Sequence, residues 1–408
     1  MADLKISKQD LQNLLPSVDE ENLEDKFARC AWSVICEPGD GFAGFLISRM
    51  GASAALEAEI HGISSKQLKS KLFSLGFDSA ELDSFGVFEK THAEARERWR
   101  PRLNLESIRT ALFKINKVGG YVLTPEDPDW PQQFGDLEKH APVALWVRGS
   151  SSALRKLEQS ISIVGSRGAT SYGEFATDSM VSALVPKGYS IVSGGAYGID
   201  GTAHRSTLAL RGNTVAVMAG GLDKFYPSGN SDMLRRISQT GAVISEVPPG
   251  TIPSKWRFLQ RNRLISALGQ ATLVIEANWR SGALNTVTHS ERLERPIYAV
   301  PGPITSPKSA GTNKLISEKR AQLVIDGNDL LEQLGETVRV TSQLEFDGLG
   351  AIEKRVLDAI GFDVLEIAEI CSSAGLTRDE ARFGLSSLEL DGLVLRRDNT
   401  WTKSQTTV

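Results

Sequence analysis

The chain has 408 residues, a net charge of −4, 41% hydrophobic and 24% charged residues. That length is too great for one small core and sets a prior of two or three domains. The composition is that of an ordinary globular protein, and it excludes a disordered, collagen-like or disulfide-rich class. No apolar run approaches the roughly 18 residues a bilayer span needs. Cys30, Cys36 and Cys371 stand isolated, without CxxC or paired His spacing, so neither structural disulfides nor a metal site is expected. With no signal-peptide pattern at Met1–Lys5, a reduced cytoplasmic setting fits best.

Charge is unevenly distributed. Between Ile161 and Leu330 stand 18 Lys and Arg against 12 Asp and Glu, so this segment is +6 and the remainder −10. A basic middle between acidic flanks points to a cationic working surface on one domain.

In chain order, residues 1–110 form a helical N-terminal domain behind a polar leader of about 25 residues. Pro38-Gly39-Asp40-Gly41 breaks the helical pattern, and Gly51 and Gly76 end helices. This reading leaves open whether the domain binds nucleic acid or partners. Residues 111–335 form an α/β domain. It opens with strands at Tyr121–Thr124 and Val143–Gly149. Then come short, continuous apolar strands from Ile161 to Ile325, alternating with glycine-rich turns and helices. The pattern predicts a doubly wound parallel sheet over a core of 160–330. Residues 336–350 read as a linker. Residues 351–408 read as three helices and a hairpin at 393–401, a winged helix whose third helix starts at the capping box Thr377-Arg378-Asp379-Glu380.

Ligands of such sheets bind beyond the carboxyl ends of the strands. The first turn, Gly165-Ser166-Arg167, combines close backbone approach, a hydroxyl and a guanidinium, with an apparent helix from Tyr172 to Val185 behind it. It predicts a phosphate site with free N–H groups at the helix start. The second turn contributes Gly194 and Gly195, the third Lys224, Tyr226 and Asn230. Arg261-Asn262-Arg263 lies on a stretch with no acidic residue between Glu246 and Glu276. The fifth turn contributes Ser281 and Gly282. Trp256, Phe258, Tyr226 and Trp279 supply faces on which bases can stack, and cations among aromatics are the composition of single-strand binding. Asp200 and His204 read as structural. Glu276 has no partner carboxylate or metal-ligand spacing. The P-loop and the dinucleotide fingerprint GxGxxG are both absent, so no cofactor is expected.

Taken in order, these turns resemble the DNA-processing protein A family, also called Smf. The resemblance is carried by Ile163–Arg167, Ser193–Asp200 with Ala203-His204, Gly221-Leu222-Asp223 with Tyr226-Pro227 and Asn230, Ile244–Glu246, Arg261–Arg263, Ser281–Leu284 and Ala299–Gly302. It implies an extended Rossmann-like domain that binds single-stranded DNA in a basic pocket. It also implies a homodimer that helps load the RecA recombinase during natural transformation, without catalysis of its own. Arg167 and Arg261–Arg263 would line the pocket, and Ser281 and Gly282 would offer backbone donors. Tyr197 stands where the family commonly has arginine. The acidic balance of the third winged-helix helix, with Asp379, Glu380 and Glu389 against Arg378 and Arg382, points to protein contact rather than duplex binding. The alternative reading is a nucleotide hydrolase of the LOG phosphoribohydrolase type, with Glu276 as its catalytic carboxylate.

Overall fold

The computed structural model describes residues 6–16, 18–78, 82, 86–337, 349–361, 364–397 and 399–404. Residues up to Glu336 form one compact unit and residues from Thr337 a second.

Nine strands make the sheet of the first unit: β1 (Tyr121–Leu123), β2 (Leu145–Gly149), β3 (Ser160–Val164), β4 (Ser190–Ser193), β5 (Thr214–Met218), β6 (Ala242–Ser245), β7 (Ala271–Val274), β8 (Ile297–Ala299) and β9 (Gln322–Leu323). Their spatial order is β1-β2-β6-β5-β4-β3-β7-β8-β9. From β6 to β9 every pairing is parallel. β3 to β7 are buried along their whole length, which is why they read as unbroken apolar runs. The parallel sheet is extended in a way the sequence did not reveal. β2 pairs antiparallel with β6, and β1 antiparallel with β2, so the sheet is mixed.

Chain direction across the sheet reverses at β3, where Val164 pairs with Val274 of β7. β4, β5 and β6 lie to one side, and β7, β8 and β9 to the other. The turns that leave β3 and β7 therefore flank the crevice at the topological switch point, where an open α/β sheet accepts its ligand.

The N-terminal helices share one hydrophobic cluster with the sheet: Phe27, Trp32, Phe42, Trp99 and Leu112 join Trp146, Met218 and Val243. At about 25 cal/mol per Å2, such aromatic and aliphatic burial dominates the cohesion of the unit. Trp146 Nε1 donates to Ser33 Oγ at 3.2 Å, and Lys26 Nζ pairs with Asp127 at 2.7 Å. Within the polar leader a capping box at Ser7 starts the helix Lys8–Leu14, and Leu11 and Leu15 are buried. Gly51 ends the helix Gly41–Met50 at φ 81°.

The second unit has helices Ala351–Ile360, Ile367–Ala374 and Arg378–Leu390, with strands β10 (Leu365–Glu366), β11 (Val394–Arg397) and β12 (Thr400–Lys403) in the order β10-β12-β11. Thr377 and Glu380 form the expected capping box. Ala381, Leu385 and Leu388 face a core with Val356, Ile360, Ile370 and Trp401. This is a winged helix. Most of the expected 336–350 linker lies outside the described residues.

Candidate nucleic-acid interface

A cavity of about 800 Å3 opens at the switch point. Of the residues expected at the site, Gly165, Ser166, Arg167, Tyr226, Arg261, Asn262, Ser281 and Gly282 line it, and Lys255, Phe258, Asn278 and Arg280 complete its polar and aromatic walls. Four of the lining residues are cations and one, Asp200, is an acid.

The helix Lys255–Leu268 builds one wall, started by Ser254, whose Oγ accepts from Arg257 N at 3.2 Å. Phe258 is its hub. The Arg167 guanidinium lies 4.9 Å from the centre of its ring, that of Arg261 5.9 Å, and the Tyr226 ring 5.9 Å. Arg261 is buried. Its Nη1 donates to Gly194 O at 2.8 Å and also to Val217 O. Gly194 is needed for this, since a Cβ there would lie 2.5 Å from the guanidinium. Burial lowers the Arg261 pKa to about 10 against the pull of Asp200, so it stays charged at neutral pH. Burial also pushes the Asp200 carboxyl above its ordinary range, opposed by Arg261 and by the backbone of Ala196 and Gly194.

Gly195, Lys224, Asn230 and Arg263 do not line the cavity, and Asn262, which does, is also tied to a turn. Asn230 and Asn262 hold turns in place. Asn230 Nδ2 donates to Gly195 O and Ala196 O, both at 3.0 Å, and Asn262 Nδ2 to Gly282 O at 3.3 Å and Asn285 Oδ1 at 3.1 Å. Gly195, in the left-handed region at φ 65°, shapes the second turn outside the cavity lining, and Lys224 is exposed outside it. Arg263 does not join Arg261. Two residues on a helix are about 200° apart, so its side chain leaves on the other side. There it pairs with Glu246 at 2.6 Å, both buried, and Glu246 Oε1 also accepts from Gly39 N at 3.2 Å. Arg257 likewise forks onto Glu37, at 2.8 and 3.2 Å. Arg257 directly, and Arg263 through Glu246, tie the 37–39 loop to the helix Lys255–Leu268.

The helix behind the first turn also differs from expectation. It runs Ser171–Leu184, but its N-terminus is closed from inside. The Glu276 carboxylate accepts from Thr170 N at 3.0 Å and from Thr170 Oγ1 at 2.5 Å, and Thr170 Oγ1 accepts from Gly173 N at 3.1 Å. A Cβ at Gly173 would come within 2.5 Å of that carboxylate. The positive end of this helix dipole is thus satisfied by a buried side chain rather than a ligand. The start of the helix Ala283–Arg292 borders the cavity instead: Ser281, Gly282 and Ala283 line it, Ala283 N donates to Ser281 Oγ at 3.2 Å, and a Cβ at Gly282 meets nothing within 4 Å.

Sequence reasoning missed three cations. Lys255 lies within the acid-free stretch and Arg280 within the fifth turn, though neither is among the expected site residues. Lys308 stands 142 positions from Ser166, yet its Nζ donates to Ser166 Oγ at 3.0 Å. His204 is fully buried, with Nδ1 2.7 Å from Thr214 Oγ1, and burial lowers its pKa to about 3, so it is neutral and structural as expected.

A mixed α/β sheet with a cationic crevice at its switch point, followed in the chain by a winged helix, places the chain in the class of Rossmann-like proteins that carry a winged helix. The family model described as "DNA recombination-mediator protein A" matches residues 121–335, and that of the "DprA winged helix domain" matches 345–399. The "putative DNA processing protein DprA" of Mycobacterium tuberculosis is 38% identical over 316 residues, 74% of this chain and 81% of its own. The "DNA processing protein DprA" of Bacillus subtilis is 35% identical over 209 residues, 51% of this chain and 68% of its own. The X-ray structure of DNA processing protein A from Streptococcus pneumoniae superposes with a TM-score of 0.55 at 26% identity, covering 76% of this chain and 97% of that one. The chain belongs to the DNA recombination-mediator protein A family.

Proposed function

We propose that the chain binds single-stranded DNA in the switch-point cavity and, as a homodimer in the cytoplasm, helps load the RecA recombinase onto incoming strands during natural transformation and recombination. The observation that carries this is the convergence of Arg167, Lys255, Arg261 and Arg280 on one open cavity facing a single carboxylate. These cations displace the counterions condensed on the phosphates of an arriving strand. Membership of the family supports the recombination role.

The cavity acts as a binder rather than a catalyst in this reading. The LOG-type alternative assigns chemistry to Glu276, but that carboxylate is buried and engaged by Thr170 as a helix cap. No helix among the described residues is long and apolar enough to cross a membrane.

The test is a salt-titrated binding assay of the full chain with single-stranded and duplex DNA of equal length. Tighter single-strand binding with a steep log–log salt slope is expected. Equal affinity for duplex, or a flat slope, sinks the reading.

A further inference from the structure

The chain has seven tryptophans. Trp32, Trp99, Trp130, Trp146 and Trp401 are buried, the usual fate of a side chain that removes roughly 150–250 Å2 from water. Trp256 and Trp279 are the exceptions, 57% and 59% exposed. Both stand beside the cavity in the chain. Lys255, which lines it, precedes Trp256, and Arg280, which also lines it, follows Trp279. They rise from different walls: Trp256 from the first turn of the helix Lys255–Leu268, Trp279 from the turn that leaves β7. Trp279 is held in place. Its backbone N–H donates to Asn278 Oδ1 at 2.7 Å, and the Lys314 ammonium lies 5.2 Å from its ring centre.

We infer that Trp256 and Trp279, which do not line the cavity but each adjoin one of its lining cations in the chain, are base-stacking platforms beside it, so that a bound strand continues past the phosphate site and rests one base on each ring. This rests on the reading of the cavity as a DNA site. A cation and an aromatic side by side match one nucleotide, phosphate on the charge and base on the ring. Every base offers a π face, so such platforms are tolerant of sequence. In a duplex both faces of each base are already stacked, and neither ring finds a partner. The platforms therefore select single strands by a mechanism separate from charge.

The test uses the full chain, a labelled oligothymidylate of about 20 nucleotides, long enough for either wall, and an abasic strand of the same length. Trp256→Ala and Trp279→Ala are each expected to weaken oligothymidylate binding about tenfold. Abasic binding should remain within about twofold of the unmodified protein. Trp256→Phe and Trp279→Phe should keep most of the affinity while each removes part of the tryptophan quenching that accompanies binding. If the alanine variants bind oligothymidylate as well as the unmodified protein, the platforms are overturned and the cavity reading stands. An equal loss on the abasic strand also overturns them, since the rings would then act on the cavity's shape. If the unmodified protein binds neither strand at low salt, the cavity reading itself fails.

Discussion

From the helix Lys255–Leu268, Phe258 and Arg261 reach the cavity, whereas Arg257 and Arg263 end on the carboxylates of Glu37 and Glu246. Arg261 and Arg263 are equally deep, 6% and 4% exposed, and two positions apart. What separates them is the partner. Arg263 meets a full negative charge and is cancelled by it. Arg261 donates to the carbonyl oxygens of Gly194 and Val217, which orient it, and the Asp200 carboxylate acts on it through its field alone. A buried arginine is thus a tether or a binding charge according to what it leans on, not according to how deeply it is buried.

Three measurements press on this contrast. The largest effect is expected from Glu246→Ala, which strands Arg263 in the interior. Breaking a buried pair costs about 3–5 kcal/mol, read as a loss of unfolding free energy in denaturant, while DNA affinity of the folded fraction stays within about twofold. A gain of affinity without loss of stability would make Arg263 a binding charge that Glu246 masks.

The next is the pH dependence set by His204, which lies within the influence of Arg261. Burial first, and the Arg261 charge second, lower its folded pKa to about 3 from an ordinary 6.5. Below pH 6.5 the unfolded chain takes up a proton that the fold refuses. Stability is therefore undiminished above that value and declines as the pH falls towards 3, by about 2 kcal/mol between pH 6.5 and 5. His204→Gln should flatten that slope. An unchanged slope would mean that His204 titrates normally and that the Arg261 site is wetter than the burial indicates.

The smallest is Arg167→Ala. Arg167 is exposed at the mouth of the cavity, so its loss should weaken single-strand binding about tenfold, make the salt slope shallower by about one, and leave the melting temperature unchanged.

Much of this was legible in advance. Short apolar runs between glycine turns marked β3 to β8, and the capping box at Thr377 marked the third winged-helix helix. The antiparallel extension was not, because β2 meets β6 through pairings almost 100 residues apart that leave no local pattern. The same holds for Lys308 at Ser166 and for Glu276 at Thr170, contacts 142 and 106 residues apart. The divergence of Arg261 and Arg263 did have a signal. Helical periodicity alone turns residues i and i+2 away from each other, and reading the stretch as a cluster of charge concealed it.

Gly194 has a consequence for the entropy of binding. By lacking a side chain it lets the Arg261 guanidinium settle onto two carbonyls while the chain folds. Its rotamers are already fixed when a ligand arrives, whereas exposed Arg167 and Arg280 must each surrender about 0.5–1.5 kcal/mol of freedom on contact. One charge of the cavity is therefore ready-made and the others adapt, which suits a partner whose backbone repeats and whose bases vary.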